Sequence, residues 1–248
     1  MPPVTQVLNW EAADMAAVVV FDIGETLIDY GNPLSWVTLY RPALERVDRA
    51  CGLGLAEEDF SSAMEVLRKY NTRLCPRTRE VSADEIFQEI LDGWHRPGGP
   101  REAMKREFFA FFKRNDPRPY PDVPDALAKL KRAGVRTAAL SDVAYGEDSE
   151  SALADIGEIA AYIDLPLTSR DIGWRKPDGR GLLYIAERLR EDVRELVFVG
   201  NEEKDVLCAR AAGAVSVLID REGRRPDYGQ AYTIPSMDGL FDILQERR

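Results

Sequence analysis

The sequence has few of the residues that build covalent or metal-bound frameworks. It contains three cysteines, Cys51, Cys75 and Cys208, which lie far apart and are odd in number. Such a set is typical of reduced thiols and argues against a disulfide framework or a cysteine-based zinc site. The chain also has a single histidine, His95, which excludes a metal site built from several histidines. Any site chemistry is therefore expected to come from other side chains.

Long hydrophobic runs are also missing. No apolar stretch approaches the ~20 residues that a membrane-spanning helix needs. The first residues, MPPVTQVLNWEAADM, have no basic region and no long apolar segment, so they do not resemble a secretory signal. We therefore expect a cytoplasmic protein that has no membrane partner.

Positive charge is in deficit. The chain has 33 lysines and arginines against 43 aspartates and glutamates, which gives a formal net charge of −10. Nucleic-acid-binding proteins are more often basic, so we expect no nucleic-acid partner. Arginine-rich patches such as Arg73, Arg77 and Arg79 are expected to form a solvated face, with contact to an anion as the alternative.

The sequence does contain short, continuous apolar runs that alternate with helical patterns. The chain is 248 residues long and 45% hydrophobic, which is enough for a core domain and a smaller second one. Alternation of this kind predicts an α/β fold with a doubly wound parallel sheet. Its buried strands are predicted at 17–22, 136–141, 196–200 and 215–219.

A long helical segment interrupts this alternation just after the first strand. Four phenylalanines crowd its last helix and are interpreted as the core of a small bundle, with contact to a substrate as the alternative. We therefore expect an α/β core domain formed by 1–30 and 119–248, and an inserted all-helical domain formed by 31–118. The predicted helices of the insertion are 38–52, 56–72, 82–94 and 101–114.

Polar residues stand at or after the ends of the predicted strands. They are Asp22, the pair Ser141 and Asp142, Lys176 in a loop before a helix, and an acidic loop, Asn201–Asp205. In open parallel sheets ligands bind outside the carboxyl ends of the strands, so these groups are expected to converge. Any one of them could instead cap a helix. Together they suit phosphoryl transfer, because a carboxylate can attack phosphorus while Mg²⁺, a lysine and a hydroxyl stabilise the charge.

The same residues carry a resemblance to a known family. The stretches FDIGETL, LSD, RKPD and VGNEEKDVLCARAAGA resemble, in order and spacing, the four motifs of the haloacid dehalogenase (HAD) superfamily of hydrolases. The resemblance implies a phosphatase-like enzyme in which a mobile helical cap of the type-one class covers the α/β core. It also implies that Mg²⁺ is the cofactor and that the substrate is a small phosphorylated metabolite.

By residue, the resemblance implies that Asp22 is the nucleophile, that Ser141 binds the transferring group, and that Lys176 pairs with both. Asp142 is interpreted as a further substrate-binding residue, and Thr26 is expected to order the loop after the nucleophile. The implied metal ligands are Asp22, the carbonyl of Gly24, Asn201 and Asp205.

Two positions depart from the phosphatase pattern. Gly24 stands where these phosphatases have a second acid that protonates the leaving group, and a neighbouring Glu25 would point the other way along an extended segment. Asn201 stands where they often have an aspartate. The departures keep two alternatives open: a metal-independent haloacid dehalogenase, and a protein of this fold that binds a ligand with little turnover.

Overall fold

The computed structural model describes residues 18–31, 36–113, 117–224 and 226–247. Two short 3₁₀ segments, Ala154–Tyr162 and Val193–Glu195, accompany the strands and α-helices. The strands are β1 (Val18–Phe21), β2 (Ile28–Asp29), β3 (Arg118–Pro119), β4 (Arg136–Ser141), β5 (Leu165–Thr168), β6 (Leu196–Gly200), β7 (Val215–Ile219) and β8 (Tyr232–Ile234). The helices are α1 (Trp36–Cys51), α2 (Glu57–Tyr70), α3 (Ala83–Gly93), α4 (Arg101–Phe112), α5 (Val123–Arg132), α6 (Ser149–Leu153), α7 (Ser169–Ile172), α8 (Arg180–Leu189), α9 (Glu203–Ala212) and α10 (Gly239–Glu246).

A parallel sheet of six strands forms the centre of the molecule. Its order is β5-β4-β1-β6-β7-β8, and each neighbouring pair is parallel. The predicted fold class is confirmed, and so are the four predicted strands, although the first residue of the first one, Ala17, lies outside the described residues. The sequence analysis missed the two edge strands, β5 and β8.

The residues of β1 alternate between two hydrophobic layers. Val19 and Phe21 join the cluster beneath α5 and α10, whereas Val18 and Val20 join the cluster beneath α8 and α9. All four side chains are fully buried. Successive side chains of a strand point to opposite faces, so a strand covered on both faces is apolar throughout. This explains why the run VVVF reads as an unbroken hydrophobic stretch.

Helices α1–α4, which we call the helical unit, surround a hydrophobic cluster of their own. Each end of these helices falls within two residues of the predicted position. Phe87 and Phe108 are fully buried in the cluster, with ring centroids 5.3 Å apart. Helix α3 begins with a capping box, in which Ser82 Oγ accepts from the Glu85 N–H at 3.1 Å and Glu85 accepts from the Ser82 N–H at 2.7 Å.

Among the helices of the described residues, none has both the length and the apolar character needed to cross a membrane.

Candidate active site

Asp22 lies at the carboxyl end of the central strand. Its backbone N–H donates to the Val199 carbonyl at 2.9 Å, which extends the pairing of β1 with β6 by one residue. The side chain is 9% exposed and lines a cavity of about 1090 Å³. Burial raises the pKa of Asp22 to about 6; the Lys176 charge opposes this shift and the Asp205 charge adds to it. Asp22 is thus a cavity-lining carboxylate whose negative charge is destabilised by burial.

Lys176 holds two carboxylates in the floor of the site. Its Nζ lies 2.5 Å from Asp22 Oδ1 and 2.7 Å from Asp205 Oδ1, and its side chain is 1% exposed. Burial by itself lowers the pKa of Lys176, but Asp205, Asp22 and Asp142 together raise it well above its ordinary value. The ammonium therefore stays charged and orients the carboxylate of Asp22.

Asp205 lies behind Lys176, and it is not among the residues that line the cavity. Its Oδ2 accepts from the backbone N–H groups of Asn201 at 3.1 Å and Glu202 at 2.9 Å, and its side chain is 1% exposed. The close approach requires Gly200, because a Cβ there would stand 2.3 Å from the Asp205 Cβ. In this geometry Asp205 fixes the acidic loop and the lysine.

Thr26 brings two oxygen ligands together. Its Oγ1 lies 3.1 Å from Asp22 Oδ2 and 3.2 Å from Asn201 Oδ1, and the residue is fully buried. A hydroxyl has a single proton to donate, so only one of these two acceptors can receive it at a time. The expectation that Thr26 orders this loop agrees with these contacts.

These oxygens suit a hard cation such as Mg²⁺. The floor has two carboxylates, Asp22 and Asp205, but Lys176 supplies one positive charge, and Asn201 and the Gly24 carbonyl would contribute neutral oxygens. In the described part of the chain, no group of three or more His, Cys, Asp or Glu residues forms a ready-made metal cage. Mg²⁺ does not need one, because it often binds through one or two carboxylates and keeps several waters.

Ser141 is the last residue of β4 and Asp142 follows it, and both line the same cavity. The Asp142 Oδ1 accepts from the backbone N–H of Lys176 at 3.1 Å, and its Oδ2 lies 3.8 Å from the Nζ of Lys204. Asp142 thus connects the loop after β4 to the lysine loop. All seven predicted site residues therefore meet at one end of the sheet, five of them on the cavity wall and two, Lys176 and Asp205, directly behind it.

Aromatic side chains also line the cavity. Trp36, Phe109 and Phe112 reach it from the helical unit, and Tyr30 and Tyr120 reach it from the α/β side. Trp36 stacks on Phe112 with ring centroids 3.9 Å apart. Phe112 belongs to the bundle core and also lines the cavity, so the core interpretation is confirmed and contact with a substrate stays a prediction.

Tyr30, which lies beside Gly24, and its hydrogen-bond partner Asp155 were not predicted as site residues. The ring of Tyr30 lies next to Gly24, such that a Cβ on Gly24 would be 3.4 Å from Tyr30 Cε2. The Tyr30 hydroxyl donates to Asp155 Oδ2 at 3.2 Å, and both residues line the cavity. Glu25, weighed as a replacement acid, has a carboxylate that accepts from the Tyr120 hydroxyl at 2.7 Å. No sequence signal links Tyr30 to Asp155, which lies 125 residues away.

A buried ion pair joins the helical unit to the lysine loop. Glu80 Oε2 lies 2.5 Å from Arg175 Nη1, and the two side chains are 1% and 6% exposed. The Glu80 N–H donates to the Gly173 carbonyl at 3.0 Å, and the Arg175 N–H donates to the Thr78 carbonyl at 2.7 Å. The segment before α3 thus pairs by backbone hydrogen bonds with Gly173 and Arg175, immediately ahead of Lys176. Sequence reasoning missed this anchor, because Glu80 looks like any surface acid.

The arrangement can support nucleophilic attack by a carboxylate. Asp22 faces a cavity, a permanently charged lysine contacts it, and a hydroxyl residue, Ser141, stands at the end of the next strand. Such a site can form a covalent intermediate and stabilise negative charge on the transferring group.

Comparison with known proteins places the chain in a family of hydrolases. Residues 16–213 match the family model for haloacid dehalogenase-like hydrolases. A phosphoglycolate phosphatase of Neisseria meningitidis is 30% identical over 142 residues, which are 53% of this chain and 58% of that protein. The (S)-2-haloacid dehalogenase 4A of Burkholderia cepacia is 29% identical over 164 residues, which are 65% of this chain and 68% of that protein. The chain thus aligns with less than two thirds of the Neisseria protein.

The fold is also found in solved structures. The crystal structure of a 2-haloacid dehalogenase from Pseudomonas syringae pv. tomato matches with a TM-score of 0.67 at 18% identity, covering 93% of this chain and 99% of that one. At this identity the likeness shows a common fold.

Proposed function

This chain belongs to the haloacid dehalogenase-like hydrolases, and from that premise we propose that it is a magnesium-dependent phosphatase acting on a small phosphorylated metabolite. The observation that carries the proposal is the Asp22 carboxylate, held 2.5 Å from Lys176 at the cavity floor with the Asn201 amide oxygen beside it. A relative named as a phosphatase is similar over about half of the chain, which supports the same reaction class.

In the proposed reaction Asp22 attacks phosphorus and forms an aspartyl-phosphate, which water then hydrolyses. Lys176 keeps the carboxylate oriented and offers positive charge to the transferring oxygens, while Ser141 binds one of them by hydrogen bonding. Asp22, Asn201 and the Gly24 carbonyl would hold Mg²⁺, which when bound neutralises charge on the phosphoryl oxygens. Asp205 and Asp142 act on Lys176 and the acidic loop.

We further propose that the helical unit forms a cap domain, with 31–118 as the insertion and 1–30 and 119–248 as the core. Its aromatic side chains Trp36, Phe109 and Phe112 would then contact the part of the substrate that leaves. Closure of such a site excludes water and adds specificity contacts.

A metal-independent dehalogenase is the second candidate. Gly24 in place of an acid and the neutral Asn201 favour it, as does the similarity to the Burkholderia dehalogenase. Two features favour the phosphatase. A bound cation would offset the net negative charge of the floor, and the oxygen atoms there are the ligands that Mg²⁺ prefers.

The test is hydrolysis of p-nitrophenyl phosphate by the protein and by Asp22→Asn, each with Mg²⁺ and with EDTA. This leaving group needs little protonation, so the missing acid at Gly24 does not mask activity. We expect Mg²⁺-dependent release that falls by about 10⁴-fold or more in Asp22→Asn, since removal of a nucleophile has effects of that order.

Thermal unfolding of both proteins controls for loss of the fold. Release that is unaffected by Asp22→Asn would overturn the nucleophile. Halide release from 2-chloropropionate in EDTA, without ester hydrolysis, would replace the phosphatase with the dehalogenase.

A further inference from the structure

The leaving oxygen of a phosphate ester needs a proton, and Gly24 has no side chain to provide it. The other groups of the floor are committed elsewhere. Asp22 is the nucleophile of the proposed function, Lys176 is held charged between two carboxylates, and Asp205 accepts two backbone hydrogen bonds. A proton donor must therefore stand on another wall of the cavity.

The wall next to Gly24 contains a tyrosine–carboxyl pair. The Tyr30 ring lies beside Gly24, at an ordinary van der Waals distance of 3.4 Å from where a Cβ on the glycine would stand. The Tyr30 hydroxyl donates a hydrogen bond to Asp155 Oδ2 at 3.2 Å, and both residues line the same cavity as Asp22. The Asp22 charge also helps raise the pKa of Tyr30, after burial and Asp155, which places the phenol within electrostatic reach of the nucleophile.

Besides Asp29, whose Oδ1 accepts from the Gly31 N–H at 2.7 Å, three carboxyl groups line this part of the cavity, and their partners distinguish them. Glu25 is an exposed residue whose carboxylate accepts from Tyr120. Glu147 is paired with Lys113, whose Nζ lies 3.2 Å away, and it also accepts from Ser151. Asp155 has a neutral hydroxyl as its hydrogen-bond partner.

The pKa of Asp155 is raised, as is that of Glu147 on the same wall. Burial raises the pKa of Asp155 above its ordinary value, and the Lys113 charge and the Tyr30 hydrogen bond offset only part of that shift. A carboxyl whose pKa is raised towards the working pH is suited to general acid catalysis.

We propose that Asp155 is the general acid that protonates the leaving group, and that Tyr30 is the positioning residue that holds it beside Gly24. The proposal rests on the phosphatase function proposed above.

The reaction balances as follows. A carboxylate oxygen of Asp22 bonds to phosphorus as the bond to the leaving oxygen breaks; that oxygen keeps the electron pair and takes the Asp155 proton. An alcohol leaves, and Asp155 becomes a carboxylate. Water then attacks phosphorus and gives one proton to Asp155, while the bond between phosphorus and the Asp22 oxygen breaks. Phosphate leaves, and both side chains return to their starting states.

The experiment measures kcat/KM for para-substituted phenyl phosphates, from p-nitrophenyl to phenyl and p-methoxyphenyl. These leaving groups share a shape and differ in how strongly they need a proton, and kcat/KM reports the steps up to their departure. In Asp155→Asn we expect a loss of about 100-fold for phenyl and p-methoxyphenyl phosphate and less than about threefold for p-nitrophenyl phosphate.

Tyr30→Phe should show the same selectivity with a smaller loss, because it removes the hydrogen bond and leaves the carboxyl. Glu147→Gln is the matched control: it neutralises another buried acid of the same wall, and its leaving-group dependence should equal that of the unmodified protein. Retained p-nitrophenyl phosphate hydrolysis shows that each variant is folded.

Equal losses on all three esters in Asp155→Asn, or the selective loss in Glu147→Gln instead, would overturn the assignment while leaving the phosphatase function intact. If the unmodified protein hydrolyses only the p-nitrophenyl ester, no acid operates and the assignment also fails. Failure to hydrolyse even that ester would be a failure of the proposed function itself.

Discussion

The charged floor of the site and the cavity wall that contains Tyr30 are built in different ways. The floor, Asp22, Lys176 and Asp205, stands on strand ends and adjoining loops, and its side chains are almost fully buried. The wall of Tyr30 and Asp155 is half-buried and comes from a loop and a 3₁₀ segment. Groups that must hold charge need rigid, desolvated surroundings, whereas a group that exchanges protons with substrate and water needs access to the cavity.

The largest effect is expected from the lysine of the floor. Lys176→Met should lower kcat for p-nitrophenyl phosphate by about 10³-fold, because removal of a charge-stabilising donor costs up to that much. The variant also leaves Asp22 and Asp205 facing each other without a cation. Steady-state kinetics at saturating Mg²⁺ measure the loss.

Lys204→Met is the matched control for that lysine. Its Nζ pairs with Glu202 at 2.8 Å on the cavity rim, and its side chain is 37% exposed. Its loss should stay within about tenfold, since partly exposed ion pairs contribute little. Equal losses of kcat in Lys176→Met and Lys204→Met would show that the buried lysine has no special role.

The metal requirement separates two residues of the acidic loop. Asn201→Ala should raise the Mg²⁺ concentration for half-maximal activity by about 10- to 100-fold, because it removes an oxygen beside Asp22. Asp205→Asn should mainly lower kcat, because its carboxylate contacts Lys176 and the loop backbone. Mg²⁺ titrations of the two variants measure both quantities. An unchanged titration in Asn201→Ala would argue for metal-independent chemistry.

The anchor of the floor to the helical unit can be broken at Glu80. Glu80→Gln removes the nearest carboxylate of the buried Arg175, whose other carboxylate neighbour, Asp142, lies 3.8 Å away. It should lower the free energy of unfolding by about 3–5 kcal/mol. We expect kcat to fall by about tenfold with little change in KM, because the lysine loop loses its support while the cavity wall is kept. Urea unfolding and kinetics test the two expectations.

The double variant Glu80→Gln/Arg175→Met is the control for the buried charge. It should recover part of the stability lost in Glu80→Gln, since replacing both charges of a buried pair costs less than removing one. If the double variant is less stable than either single variant by the sum of their losses, the two residues are energetically independent.

The smallest effect concerns pH and belongs to the second wall. A general acid works in its protonated form, so kcat/KM for phenyl phosphate should fall as pH rises through the raised pKa of Asp155. Tyr30, Lys113 and Glu147 surround this carboxyl and set where the fall occurs. In Asp155→Asn this fall of kcat/KM with rising pH should disappear, and neither protein should show it with p-nitrophenyl phosphate. If the fall persists in the variant, it is caused by another titrating side chain.

Local patterns predicted the central elements of the fold better than its edges. The strands β1 and β6 are apolar on both faces, so they stand out in the sequence as unbroken hydrophobic runs, and β4 contains the shorter run 138–140. The edge strands β5 and β8 are short and only partly buried, and β5 contains Pro166, which an edge tolerates. Their sequences therefore resemble loops.

The same division applies to the site. The sequence alone determined that Asp22, Ser141, Lys176 and the Asn201–Asp205 loop would meet, because carboxyl ends of parallel strands share one edge of a sheet. Only the tertiary structure decided that Asp205 stands behind the lysine and that Glu80 anchors Arg175. It also decided that Tyr30 lies beside Gly24 and donates a hydrogen bond to Asp155. Such contacts join side chains on loops far apart in the chain, and no periodicity or spacing in the sequence encodes their distance.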